Sequence, residues 1–573
     1  MGKRIIVAFG VNIENNRAFD YLKSSLKNLA DVILYEYYDK AIDFSFIKKS
    51  AENEGANGVI FVNDRIYGPV KDLAPMFKEF DACKEDVVGL ILQPPFSEGT
   101  DEVFNEGIST ECFKLSHRIL IDDDIEKIFT DLVNEGESRF KRTSEPGIIE
   151  LIRKAGYTVS GLINKRNFAD FTIDSGYDYV KNKNYELLKD TVCPFIFKRC
   201  FESDNNISDN LNRAISHAGD SFGYDIDVML DDVARTVNPL DIKRNLNLNY
   251  IIPASYRLYN KLDEQIYDET AVFAHIFYVD RVDNSFEYLD HVPPQVRKYL
   301  TTSNPETYEL IRGKLSERDD KWSVRLIKNR GRDVGALWVS NAPLIKNYKY
   351  ICFLHDKKTS GQTGNILNGD YYHYNVWENC LKNTDYINNV LYTLSETPKL
   401  GFLSPPFPIF FDYKGLLGGE WTNCYDVTLE LAKDLNIKAD IRTDKPPFAF
   451  SNSFWARTDA LMPLVDRKLR FEDFPAEPLP IDGSISHAIE RIYIYSAQSQ
   501  GYFSGILEND QYASMELNSM QKIMANMNVK YNRMFNERNL QSNRADRLQK
   551  EKEEYKNALD KVAEIINNTH ITE

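Results

Sequence analysis

The chain has 573 residues, a formal charge of −16 and 43% apolar residues, with 33 Tyr and 33 Phe. It is too long for one hydrophobic core and has the material for several. Its acidic balance excludes a nucleic-acid footprint, because polyanion binding rests on Lys and Arg displacing counterions from phosphates.

A single pyrophosphate stays admissible, since a few local cations or backbone N–H groups can hold it. Seven cysteines without a CxxC pair indicate neither a zinc site nor a disulfide framework, and a reducing compartment is expected. No run reaches the roughly 18 apolar residues of a membrane span. Met1-Gly2-Lys3-Arg4-Ile5 leads into a strand rather than a signal peptide. The expected location is the cytoplasm, with at most peripheral contact at the inner face of the membrane.

In chain order, Ile5 to Phe9 is a β-branched strand and Phe19 to Leu29 reads as a helix. Val32 to Tyr35 and Gly58 to Val62 are further strands, the latter ending in Asn63-Asp64 and the turn Tyr67-Gly68-Pro69. Strands alternating with helices predict a parallel α/β sheet. Ile119 to Asp122 follows, and then Pro146 to Tyr157, helical in period with a glycine stop. Between 186 and 265 the pattern is helices with irregular connections.

The α/β pattern restarts at Ala271 to Val279, followed by strands at Lys298 to Thr302 and Val324 to Ile327. A charged turn, Asn329-Arg330-Gly331-Arg332-Asp333, enters a helix-like stretch. The apolar strand Tyr350 to Leu354 then ends in His355-Asp356-Lys357-Lys358. The two α/β units echo each other: GVIFVND matches YICFLHD, and IIELIRKAGY matches HAIERIYIYSAQSQGY. The domain plan is an N-terminal α/β unit (1–185), a mostly helical connector (186–265), a second α/β unit (266–505) and a helical tail (506–573). In the tail, Met520, Met524, Met527, Tyr531, Met534, Ala545, Leu548, Tyr555, Leu559, Val562 and Ile566 follow alternating spacings of four and three. Eleven of fourteen seam positions are apolar, with Arg538, Gln541 and Lys552 interrupting. This predicts a coiled coil able to pair two copies, against the alternative of an amphipathic helix packed on its own domain.

Four segments of the second unit carry candidate chemistry. Gly331 lets backbone approach a ligand, and Asp333 stands where a helix begins, so Asn329, Gly331 and Asp333 are candidate donor-binding residues and equally a turn and an N-cap. In open α/β sheets ligands bind beyond the carboxyl ends of the strands, which places His355, Asp356, Lys357 and Lys358 at a phosphate-binding edge. A departing diphosphate can be stabilised by a divalent cation on carboxylates or by cationic side chains directly. One carboxylate beside two lysines favours the second solution, with Asp356 the candidate ligand should Mg²⁺ or Mn²⁺ serve. Ser453, Trp455 and Arg457 lie in a segment of small polar groups among aromatics, which suits a sugar or acceptor pocket and equally a core strand with Trp455 buried. Glu477, Asp482 and His487 are candidate bases for an acceptor hydroxyl. Glu490 and Arg491 read as an intrahelical ion pair.

Taken together and in this order, NRGRDVGAL, YKYICFLHDKKTS, FSNSFWARTDALMPL and DFPAEPLPIDGSISHAIERI resemble the rhamnan synthesis protein F family of bacterial cell-surface polysaccharide glycosyltransferases. The likeness is strongest over about 271–505 and extends to GVIFVNDRIYGPVKDLAPMF and CPFIFKRCFES; the tail lies outside it. The resemblance implies tandem GT-A-like nucleotide-sugar units, the first a degenerate copy or an acceptor-docking unit. It also implies transfer of a deoxyhexose, typically L-rhamnose from dTDP-L-rhamnose, with inversion onto a lipid-linked glycan. HDKK stands where such enzymes usually carry an Asp-x-Asp metal motif, which leaves metal dependence open. The alternatives are another sugar specificity, such as galactofuranosyl transfer, and a non-catalytic scaffold of a glycan-assembly complex.

Overall fold

In the computed structural model the described residues are 3–10, 16–37, 42–97, 103–104, 106–122, 148–164, 178–202, 210–358, 367–409, 418–449, 451–480 and 482–569. They form two compact units, Met1–Glu508 and Asn509–Glu573.

The first unit contains two mixed α/β sheets. The main strands of the first are β1 (Arg4–Phe9), β2 (Val32–Tyr37), β3 (Gly58–Asn63), β4 (Val87–Gln93), β5 (Cys112–Ser116) and β6 (Val159–Ile163), with the two-residue strand Gly107–Ile108 paired to β4 off their path. Those of the second are β7 (Asn249–Ile252), β8 (Thr270–His275), β9 (Arg297–Thr302), β10 (Trp322–Leu326), β11 (Tyr350–His355), β12 (Leu400–Ser404), β13 (Phe454–Arg457) and β14 (Phe503–Asn509). The predicted strands are all present to within a few residues. Ile119 and Leu120 instead lie on the short helix His117–Leu120 that follows β5. The segment 186–265 is largely helical as far as Asn245, and its end supplies β7 to the second sheet.

The order of the first sheet is β6-β4-β5-β3-β1-β2. That of the second is β7-β14-β12-β13-β11-β8-β9-β10. In the first, β5 runs antiparallel to both β3 and β4. In the second, β13 runs antiparallel to both β11 and β12. Superposed by order, β6-β4-β5-β3-β1-β2 and β14-β12-β13-β11-β8-β9 are the same path, with β7 and β10 added at the edges of the second. The segments that echo in sequence occupy matching places: β3 matches β11, and the helix Ile148–Lys154 before β6 matches α4 (Ile485–Ser499) before β14.

The strands read as continuous apolar runs because each sheet is covered on both faces. Val272, Ala274, Cys352 and Leu354 enter one apolar layer, while Ala271, Phe273, Ile351 and Phe353 enter the other. In the first sheet Ile6 and Ala8 face one layer, and Ile5, Val7 and Phe9 the opposite one. Each Val, Ile, Leu or Phe among them, fully buried, contributes roughly 1.5–3 kcal/mol.

The connector helices α1 (Ile226–Thr236) and α2 (Pro239–Asn245) tie the sheets together. Gln498 on α4 donates to Val237 O at 2.6 Å, Asn238 donates to Asp440 O at 2.7 Å, and Lys445 pairs with Asp241. Toward the first sheet, buried Asp232 accepts from Tyr67 Oη at 2.9 Å, Lys198 Nζ at 3.1 Å and Arg235 Nη2 at 2.5 Å.

The second unit is the helix α5 (Asp510–Thr569), 60 residues and so about 90 Å long. Met520, Met524, Met527, Tyr531 and Met534 are all exposed on it, Met524 at 68%. Among the described residues no helix is long and apolar enough to cross a membrane.

Removing the Asp232 carboxylate would leave a buried ammonium and a buried phenol without their acceptor. Asp232→Ala is therefore expected to lose about 3–5 kcal/mol of stability, read from the midpoint of urea unfolding.

Candidate active site

The connection out of β8 goes to β9 and β10 on one side, and the chain then returns to place β11 on the other. This reversal leaves a crevice at the carboxyl ends of β8 and β11, the place where open α/β sheets bind ligands. His275 and His355 are register partners at those two ends. A cavity of about 550 Å³ opens there, lined by His275, Phe277, Tyr278, Asn329, Arg332, Asp333, Lys358 and Glu477.

Asp333 enters the cavity from α3 (Arg332–Gly335), whose N-cap Gly331 has φ +72°. A Cβ on Gly331 would lie 2.7 Å from the Phe474 ring. Arg330 clamps the same turn to the facing loop by donating to Phe474 O at 2.6 and 2.8 Å and to Glu472 O at 3.1 Å. The two loops thus form one wall.

Behind Asp333 runs a buried hydrogen-bond relay. Trp338 Nε1 donates to Tyr493 Oη at 2.9 Å, Tyr493 donates to Asn452 Oδ1, and Asn452 Nδ2 donates to Asp333 Oδ2 at 2.7 Å. His355 Nδ1 lies 3.6 Å from the same oxygen, and 3.2 Å from both Asn452 O and Ser453 Oγ. Burial would raise the Asp333 carboxyl, but His355, the Asn452 amide and His275 together hold it below its ordinary value. It stays ionised at neutral pH.

Burial depresses both imidazoles against the opposing charge of Asp333, His275 to about 4. Thr301 Oγ1 donates to Ala274 O at 3.3 Å and therefore accepts from His275 Nδ1 at 3.1 Å. That tautomer leaves His275 Nε2 as an acceptor.

Asp356 turns back into the protein. Its oxygens accept from Phe277 N at 3.0 Å and Tyr278 N at 2.8 Å, pinning the loop after β8. Burial lifts it to about 7, the N–H groups opposing and Asp333 adding to the rise. Among the described residues no group of three His, Cys, Asp or Glu side chains converges as a hard divalent cation requires. This donor set does not fit a resident Mg²⁺ or Mn²⁺ at Asp356, the residue expected to hold one.

Cations do reach the cavity. Arg332 pairs with Glu477 at 3.3 Å, and Lys358 pairs with Asp280. Lys357 lies over the Tyr372 ring, 4.1 Å from its centroid. Glu477 also accepts from Leu479 N at 3.0 Å.

The remaining expected site residues have other work. β13 is antiparallel, so only its entry, Asn452-Ser453, stands at the carboxyl end of β11, and each later residue recedes from the cavity. Trp455 is 0% exposed and donates to Cys380 O at 3.0 Å within the core. Arg457 pairs in register with Tyr350 at the far end of the sheet and donates to Leu400 O at 2.9 Å and Thr397 O at 3.2 Å. Neither can shape a sugar or acceptor pocket from there.

Asp482 accepts from Asn423 N at 3.0 Å and Cys424 Sγ at 2.9 Å. Burial would raise it, yet bonds from Cys424, Thr422, Asn423 N and Gly483 N put it well below the usual carboxylate range. It is a loop anchor and a poor base. His487 Nδ1 accepts from Ser484 Oγ at 2.8 Å, completing the cap of α4. Arg491 does not form the expected intrahelical pair but donates to Glu420 O, His487 O and Thr422 Oγ1, each at 2.9 Å. Glu490 is left recessed beside Asp333, where burial first and the Asp333 charge second raise it to about 8.

His275, Phe277, Tyr278, Arg332, Asn452 and Glu490 were not among the expected site residues. His275 had a visible signal, a polar residue at the end of an apolar strand like His355, and Arg332 stood in the charged turn already singled out.

The first sheet has the same switch point with different residues described at it. Phe9 and Asn63 are register partners where His275 and His355 pair. Asp64 N donates to Phe9 O at 3.1 Å, as Asp356 N does to His275 O at 3.2 Å. Asp64 lies over Gly10, its Cγ only 2.6 Å from where a Cβ would be. Among the described residues nothing beyond β2 corresponds to β10, so Asp333 has no counterpart.

Two variants test this geometry. Gly331→Ala combines a left-handed backbone with a clash on Phe474, and a loss of about 1–3 kcal/mol is expected in urea unfolding. His275 takes up protons between about 4 and 6.5 more readily when the chain is unfolded, so stability is full above 6.5 and falls as pH drops toward about 4. The loss attributable to it is about 3 kcal/mol. Thermal melts of His275→Gln should show a shallower decline across that window.

The chain matches the rhamnan synthesis protein F family over residues 29–502. It is 27% identical over 233 residues to the uncharacterised protein WxcX of two strains of Xanthomonas campestris pv. campestris, covering 40% of this chain. The matched stretch is 32% of those curated relatives, about a third of their length. Among solved structures, the glycosyltransferase GlyE of Streptococcus pneumoniae TIGR4 aligns over 67% of this chain and 90% of its own, at 10% identity and a TM-score of 0.23. Its apo form aligns over 65% and 88%, at 11% identity and a TM-score of 0.21. With the family match extending from within the first sheet to the threshold of β14, the chain belongs to the rhamnan synthesis protein F family.

Proposed function

We propose that this chain is a nucleotide-sugar-dependent glycosyltransferase of cell-surface polysaccharide assembly, acting in the crevice between β8 and β11. The observation that carries the reading is the cavity of about 550 Å³ at that switch point, with Arg332 and Lys358 on its walls beside Asp333 and Glu477. Its size falls within the range of roughly 300–1,000 Å³ usual for small-molecule sites. The family match supports the polysaccharide context, and its description as a rhamnan synthesis protein favours L-rhamnose from dTDP-L-rhamnose as the donated group.

In this reading Phe277 and Tyr278 offer aromatic surface to the donor, and Asn329 and Arg332 line its path. Glu477 takes the proton of the acceptor hydroxyl as its oxygen bonds to the anomeric carbon. The bond from that carbon to the diphosphate breaks with its electron pair staying on the nucleotide. Arg332 and Lys358, with Lys357 nearby, stabilise that charge. A single displacement of this kind inverts the anomeric centre. The first sheet, which has Phe9 and Asn63 in place of the two histidines, serves as the non-catalytic copy of a tandem pair. The acceptor is a lipid-linked glycan met at the membrane surface.

The tail has a separate role. The exposed seam of α5 from Met520 to Met534 pairs with the same seam of a second copy as a coiled coil.

Three measurements test these readings. Glu477→Gln should lower kcat about 10²–10⁴-fold with little change in the donor KM, whereas Asp482→Asn should chiefly lower the melting temperature. Transfer should proceed at an unchanged rate in EDTA if cationic side chains alone stabilise the leaving group. For the tail, Met524→Glu combined with Tyr531→Glu should halve the sedimentation mass. A mass already monomeric in the unaltered protein would remove the coiled coil.

A further inference from the structure

We propose that Asn452 and Tyr493 are positioning residues that fix the Asp333 carboxylate so that it accepts a hydrogen bond from the bound nucleotide-sugar. The inference rests on the glycosyltransferase reading and adds to it one substrate-contacting group and the two side chains that act through it.

The polarity of the relay is set at its far end. An indole N–H can only donate, so the Tyr493 oxygen accepts from Trp338 Nε1 at 2.9 Å. The one phenolic proton then goes to Asn452 Oδ1, which turns the N–H side of the amide to Asp333 Oδ2 at 2.7 Å. An amide without that direction could present either end, and its oxygen would repel a carboxylate. Trp338, Tyr493 and Asn452 are all 0% exposed, so solvent does not compete for these bonds.

The backbone that carries Asp333 is held just as closely. Gly331 and Arg332 are both left-handed, at φ +72° and +47°, and for an arginine that conformation is strained. The next segment, Ala336–Asn341, bears Trp338 and closes as a π-helical turn, a rare form that recurs at functional sites. Strained backbone persists only where the surrounding structure over-determines it. Here it delivers Asp333 to the wall of the cavity of about 550 Å³. A carboxylate there repels phosphate and accepts from an O–H or N–H. In a nucleoside diphosphate hexose such donors lie on the transferred sugar and on the nucleoside.

The charged and titratable groups around Asp333 are its neighbour Arg332, His275 on β8, His355 and Asp356 on β11, and His487 and Glu490 on α4, with Glu477 and Lys358 lining the same cavity. Asp356 and Glu490 titrate near neutral pH in the unaltered protein and the variants alike, so each affinity is compared with that of the unaltered protein at the same pH.

The test is isothermal titration of the full-length protein and its Asn452→Asp, Tyr493→Phe and Tyr386→Phe variants with dTDP, dTDP-L-rhamnose, UDP and UDP-galactose, from pH 6 to pH 8. Asn452→Asp sets two carboxyls together, and they share a proton above the ordinary carboxylate range. Once protonated, the new acid donates to Asp333 as the amide did. Its affinity for the nucleotide-sugar should be about tenfold or more below that of the unaltered protein at pH 8 and within about threefold at pH 6. A purely structural loss would not recover in this way. Tyr493→Phe keeps the ring packed on Phe402 and Phe454 but loses the directing proton, and a fall of about threefold or more is expected at every pH. Tyr386→Phe, the control, removes an equally buried bond, the donation to Asn379 O at 2.6 Å, and should bind as the unaltered protein does. Losses equal for free nucleotide and nucleotide-sugar place the contacted group on the nucleoside; losses confined to the nucleotide-sugar place it on the transferred sugar. Normal binding by Asn452→Asp at pH 8, weakness that persists at pH 6, or Tyr493→Phe binding no worse than Tyr386→Phe overturns the positioning role and leaves the glycosyltransferase reading intact. Failure of the unaltered protein to bind any of the four ligands overturns both.

Discussion

The hydrogen bond from the Asn452 amide to the Asp333 carboxylate is the constraint on which the candidate site depends. A half-buried carboxylate needs its lone pairs met, and this one is met by the end of a relay that begins at Trp338 in the core. The relay draws on three elements distant in sequence: the helical segment after β10, the entry to β13, and α4. It can form only once all three have packed. Its product is local and electrostatic, a fixed negative charge at the mouth of the crevice, flanked by two imidazoles that burial keeps neutral.

That charge organises the titratable groups around it. Glu490 is held in its acid form by burial and by Asp333, and Asp356 is raised by the same two influences against its backbone N–H partners. The rim of the cavity carries Arg332 and Lys358 beside Asp333 and Glu477. Each cation is also paired, with Glu477 and Asp280, so the rim is ordered by those carboxylates.

The two sheets of the first compact unit give an internal comparison. They share a strand path and the backbone bond that joins the strand-end aspartate to its neighbour, Asp64 to Phe9 in one and Asp356 to His275 in the other. They differ in what the shared frame presents at the crevice. One has two histidines and a third-strand aspartate; the other has a phenylalanine, an asparagine and an aspartate folded over a glycine. The match to the rhamnan synthesis protein F family extends over both sheets.

The sequence by itself determined the strands, their apolar filling and the polar residues that cap them. A strand buried on both faces must be a short, unbroken apolar run, and the first charged residue marks its end. His355 and Asp356 after β11, and Asp333 at the start of α3, were legible for that reason, as was the echo between the two units. Only the tertiary structure decided which capped ends meet. The direction of β13 is not written in its residues, and because it runs antiparallel it keeps Ser453 at the site and carries Trp455 and Arg457 away. Glu490 and Arg491 read as an ion pair in the sequence, yet neighbours on a helix do not face each other, and the carbonyls of Glu420 and His487 and the Thr422 hydroxyl claim the guanidinium. Local pattern fixes periodicity and termini. Burial, pairing direction and competition for hydrogen-bond partners act between segments far apart in the chain, and they assign the chemical roles.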